Sequence, residues 1–79
     1  MLRITELKSR SLRVEGRLAG VWVDELRRAC ERHCPRTLDL RGLQSVDVEG
    51  LQLLRKLAFD GVSLERLSGY LSALLAELP

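Results

Sequence analysis

Cys30, His33 and Cys34 lie close together in the sequence and are the side chains best suited to chemistry. A thiol pair beside an imidazole can ligate a metal, exchange disulfides or form a nucleophile–base pair. The spacing argues against each use. A structural zinc site takes four ligands, usually as two spaced pairs, and this chain has 2 Cys and 1 His in all. The thiols follow Cys-x-x-x-Cys rather than the redox spacing Cys-x-x-Cys. On a helix, side chains four apart share a face but point along the axis, which is poor disulfide geometry. His33 and Cys34 are adjacent, and adjacent helical side chains do not face each other. Both cysteines are therefore expected to be reduced, structural thiols with no metal bound.

A second segment, Asp47-Val48-Glu49-Gly50-Leu51, carries a different kind of chemistry. Asp47 is a natural helix N-cap, able to accept from the backbone N–H of Glu49 or Gly50. Glu49 sets negative charge on the positive end of the helix dipole, worth ~0.3–1 kcal/mol when exposed. Gly50 has no Cβ and lets the helix start approach a neighbouring strand. Helix starts at the carboxyl edge of a sheet are frequent recognition sites. Asp47, Val48, Glu49, Gly50 and Leu51 are therefore the candidate partner-binding residues. No Gly-rich phosphate loop and no pair of catalytic carboxylates is visible. No catalytic, metal or cofactor-binding residue is assigned, and the chain reads as non-enzymatic.

Composition narrows the class. The chain has 79 residues, enough for one domain over 1–79 and near the ~70–80 residue limit for a self-sufficient core. Hydrophobic residues make up 46% and charged residues 30%, ordinary for a folded soluble protein. Net charge is only +2, and the arginines are spread along the chain rather than clustered. Nucleic acid is not an expected partner. Charge interrupts the start, Met1-Leu2-Arg3-Ile4-Thr5-Glu6, before the apolar core of a secretory signal can form. No apolar run approaches the ~20 residues of a membrane span. A cytoplasmic location without membrane insertion is the expectation.

Periodicity places these residues on elements. Leu2 and Ile4 alternate with polar residues, as do Leu12, Val14, Gly16 and Leu18. Period two marks strands with one apolar face. The polar stretch Lys8-Ser9-Arg10-Ser11 joins them as a hairpin. After Gly20, residues Trp22, Leu26, Ala29, Cys30 and His33 form a helical stripe that Pro35 ends. Trp22 is expected at the core or the rim of the sheet rather than as a surface anchor. Leu38 and Leu40 mark a third strand. Asp47 opens a helix with a stripe of Leu51, Leu54, Leu57 and Ala58, closed by Asp60-Gly61. Val62 and Leu64 mark a fourth strand, and Tyr70, Leu71, Leu74, Leu75 and Leu78 a last helix packed on the sheet. The order β-β-α-β-α-β-α predicts an α/β fold with a mixed four-stranded sheet. Each strand keeps one polar face, so the helices should lie mainly on one side.

This order, with the central segment, resembles the STAS (anti-sigma factor antagonist) family. The resemblance runs through Leu12-Arg13-Val14-Glu15-Gly16-Arg17-Leu18 and Thr37-Leu38-Asp39-Leu40-Arg41-Gly42-Leu43. It continues through Val46-Asp47-Val48-Glu49-Gly50-Leu51 and Leu53-Leu54 to Gly61-Val62-Ser63-Leu64. It implies a bacterial, regulatory protein-binding module whose partner is an anti-sigma kinase. The alternative it implies is a structural subunit of a lipid-transport ABC system, or a self-associating building block. The family serine phosphorylated by the kinase is matched by Val48, followed by Glu49, so no phospho-acceptor is assigned. The chain is also shorter than a full-length member by roughly the last strand and helix. That makes the strand near Val62–Leu67 an exposed edge, which invites a homodimer through this edge or the last helix.

Overall fold

The computed structural model describes residues 1–77. Its elements are β1 (Leu2–Leu7), β2 (Ser11–Leu18), α1 (Val21–His33), β3 (Thr37–Asp39), β4 (Leu43–Val46), α2 (Val48–Phe59), β5 (Ser63–Glu65) and α3 (Gly69–Glu77). The alternation in the first two segments produces an antiparallel hairpin, with Ile4 opposite Val14 and Glu6 opposite Leu12. Residues Ser9 and Arg10 turn it with φ of 62° and 58°. α1 carries the chain from β2 to β3 and α2 from β4 to β5, and β2–β3, β2–β4 and β3–β5 are all parallel. The sheet is therefore mixed and has five strands rather than the expected four.

The additional strand is β4. β3 runs along the first half of β2 and β4 along the second half, on the same side. A turn separates them: Asp39 Oδ1 accepts from the Arg41 amide at 3.0 Å, and the Leu43 amide donates to the Leu40 carbonyl at 3.1 Å. The register then slips, because Gly16 pairs with Leu43 but Arg17 pairs with Ser45. Gln44 is the extra residue of a bulge. Leu43 and Val46 thus both face the core although three positions separate them, which hides the period of two. Gly16 sits at this bulge with φ of 100°, and a Cβ there would run into the Met1 carbonyl.

The apolar face of the sheet supplies Leu2, Leu12, Val14, Leu18 and Leu38 to the core. The helices return Val23, Leu26, Ala29, Cys30, Leu53, Leu54 and Leu71. α1 packs on β1 and β2, α2 packs on β4 and β5, and α2 touches both α1 and α3. The three helices thus form one continuous layer. The other face stays polar, with Thr5, Arg13, Asp39 and Glu65 side by side across β1, β2, β3 and β5. Asp39 is buried there between Arg13 Nε at 3.7 Å and Arg66 Nε at 3.9 Å.

The helical stripes differ in detail from their sequence reading. In α1, Val23 is buried while Trp22 and His33 are half-buried at the rim. That helix ends at His33, with Cys34 in the left-handed region ahead of Pro35. In α2, Leu53 is buried and Ala58 is exposed. In α3, Leu71 is buried, Leu74 and Leu75 are half-buried, and Tyr70 faces outward. Leu78 lies outside the described residues. β5 is an edge strand, hydrogen-bonded to β3 alone among the described strands.

Candidate functional site

The two parallel strands β2 and β4 end together, at Leu18 and Val46, and a helix begins just beyond each. Asp47 ties these two beginnings to each other. Its Oδ1 accepts from the Gly50 amide at 2.7 Å, capping α2. Its Oδ2 accepts from the Gly20 amide at 3.0 Å, at the N-cap of α1. Its own amide donates to the Leu18 carbonyl at 3.1 Å. One carboxylate therefore fixes both helix starts to the end of β2. The Gly50 amide first and the Gly20 amide second hold its carboxyl below the ordinary value of 3.8.

The five candidate residues divide by role. Asp47 is occupied by backbone donors. Gly50 is buried, and a Cβ there would lie 2.5 Å from Val46 Cγ2 and 2.7 Å from the Leu18 carbonyl oxygen. Leu51 is buried and belongs to the packing under α2. Val48 and Glu49 alone face outward, Val48 with 63% of its surface exposed. Sequence reasoning missed Val21, at the matching position of α1, which is 74% exposed. Val21 and Val48 are the first residues of two helices laced together by one carboxylate. The signal for Val21 was weak, since a single valine after a glycine fits a buried helix start equally well. A shallow groove of about 480 Å³ continues from Glu49 between α1 and α2, lined also by Arg27, Gln52, Leu53 and Lys56.

The thiol–imidazole cluster is taken apart by the fold. Cys30 points into the core, and burial together with the charge of Glu31 pushes its thiol up to about 11. Cys34 is exposed, its Sγ donating to the Glu31 carbonyl at 3.6 Å. His33 turns to the hairpin instead, with Nδ1 3.2 Å from Glu6 Oε2. Both thiols are free. Among the described residues, no three His, Cys, Asp or Glu side chains come together in a way that could hold a metal ion.

These environments predict unequal thiol reactivity. At pH 8 a thiol with a pKa of about 11 is ionised on the order of one part in a thousand, and the thiolate is the reactive form. Iodoacetamide should modify Cys34 readily and Cys30 only after unfolding. Mass spectrometry of the native protein should show one adduct per chain, on Cys34. Two adducts forming at similar rates would contradict the burial of Cys30.

No model of a known protein family matches the chain, and no curated protein matches it. Among the described residues, no helix is long and apolar enough to cross a membrane.

Proposed function

We propose that this protein is a non-enzymatic interaction module of the STAS type, binding a partner protein at the end of the sheet where α1 and α2 begin. The observation that carries this reading is the double use of the Asp47 carboxylate. It holds exposed Val21 and Val48, with Glu49 beside them, on a rigid frame at the carboxyl ends of β2 and β4. Exposed valines on fixed helix starts offer apolar contact at little cost in ordering. The order of elements around them, a hairpin followed by alternating helices and strands, supports the same class.

Binding at this surface is constitutive in the proposal. Val48 has no hydroxyl and cannot accept phosphate. Ser45, the nearest hydroxyl, is half-buried within β4 opposite Arg17, not in an open loop. Intact-mass and peptide mapping of protein from its natural host should find residues 45–51 unmodified. Stoichiometric phosphate on Ser45 would overturn the constitutive reading.

Affinity capture tests the surface itself. The wild-type chain should recover an ATPase of the histidine-kinase type, and Val48→Asp should reduce that recovery at least tenfold. Aspartate would set a charge where phosphate acts as a repulsive group in a switched module. Capture unaffected by Val48→Asp and by Val21→Asp would place binding elsewhere. Recovery of an ABC ATPase would assign the module to a transport system instead.

A further inference from the structure

The outward side of α2 is unpartnered along its whole length. Val48, Gln52, Arg55 and Phe59 follow the alternating four- and three-residue spacing of a coiled-coil seam, and all are exposed. Phe59 is 90% exposed, the most extreme value of any large apolar side chain described. At about 100° per residue, Val48 and Phe59 point within about 20° of each other although they lie at opposite ends of the helix. Glu49 and Lys56 share one flank of this stripe, and neither makes an ion pair among the described residues.

We propose that α2 pairs antiparallel with α2 of a second copy of this chain, forming a two-fold symmetric dimer. The face is self-complementary in that arrangement alone. Val48 meets Phe59 of the other copy at both ends of the seam. Gln52 meets Arg55 at its centre, where the amide oxygen can accept from the guanidinium. In an antiparallel pair, matching flanks of the two helices adjoin, so Glu49 faces Lys56 of the other copy, twice. A two-fold axis requires one patch to complement itself, and this patch does so in both charge and apolar content. A parallel pair would instead set Phe59 on Phe59 and Arg55 on Arg55, and would put the Glu49–Lys56 flanks of the two copies on opposite sides, out of each other's reach.

The seam is short. The 12 residues of α2 span about 18 Å, so the contact buries less than the ~1,200–2,000 Å² of a standard interface. The dimer is accordingly weak, with a dissociation constant on the order of 100 µM. It also covers Val48 and Glu49, so it competes with the partner surface proposed above. The inference does not rest on that proposal, since it would hold if those residues met no other protein.

Sedimentation equilibrium on the full chain and its charge variants tests it. The wild type should self-associate between ~10 µM and ~1 mM. Lys56→Glu alone sets two carboxylates against each other in both flanking pairs, and Glu49→Lys alone sets two ammonium groups against each other there. Each should weaken association at least tenfold. An equimolar mixture of the two variants should associate again to within about threefold of wild type, because every flanking pair is then opposite in sign. Phe59→Ala should abolish association. The three substituted positions are exposed, so loss of fold does not confound the variants, and circular dichroism checks this. A wild type that stays monomeric at ~1 mM overturns the proposal. So does a dimer indifferent to Phe59→Ala and the charge variants, which would place the contact at the β5 edge or α3. Failure of the mixture to recover association overturns it as well.

Discussion

Replacing Gly50 with alanine should destabilise the protein, although alanine is the better helix former by about 1 kcal/mol. The methyl group would enter space held by Val46 Cγ2 and the Leu18 carbonyl oxygen, at 2.5 and 2.7 Å. Val46 can rotate away. The Leu18 carbonyl cannot, because it is backbone and also accepts from the Asp47 amide. The start of α2 must therefore lift from the end of β2. Overpacking of this kind costs about 1–3 kcal/mol, more than the helix propensity returns. Gly50→Val should cost more again, since its extra methyls meet the same wall. Urea unfolding followed by circular dichroism measures both. An alanine variant with a higher midpoint than wild type would show that α2 does not press on β2 as described.

Asp47→Ala should cost about 2 kcal/mol. Loss of a side-chain N-cap costs about 0.5–2 kcal/mol, and here the same carboxylate also holds the Gly20 amide. Gly20 is exposed, so water replaces that second bond in part. Asp47→Asn, with one acceptor oxygen, should fall between wild type and alanine. The two aspartate bonds also make stability depend on pH. The folded carboxyl has the lower pKa, so the unfolded chain takes up the proton first as pH falls. The contribution is complete above about pH 5. It drains away as pH drops through the unfolded value near 3.9 towards the folded one. Asp47→Asn should remove this part of the acid dependence. If wild type and Asp47→Asn lose stability in parallel between pH 5 and pH 2, the carboxylate is not held as the structure has it.

The legible parts of this fold were local ones. The hairpin followed from unbroken alternation in β1 and β2, and the cap on α2 followed from Asp47 and the residues just after it. β4 was not legible, because Gln44 bulges out and puts Leu43 and Val46 on one face at a three-residue spacing that belongs to a helix and not to a strand. The stripe of α2 was misjudged at Leu53 and Ala58, because which side of that helix is covered depends on where α1 lies. The candidate site was found at Asp47 through Leu51 from capping chemistry. Its other half, Gly20 and Val21, is joined only through a contact between distant residues, and no spacing rule reaches that far.

The Gly20–Asp47 bond joins residues 27 apart in the sequence. The ends of most helices fray independently, each opening and closing as its own first turn breaks. Here the two first turns share one carboxylate: opening the start of α2 takes the acceptor away from the Gly20 amide, and opening the start of α1 takes away one of the two donors that hold Asp47 in place. Backbone amides of Val21–Val23 and of Val48–Leu51 therefore belong to one opening unit. In hydrogen exchange, the starts of α1 and α2 would gain and lose protection together, as a single hinge line across the end of the sheet.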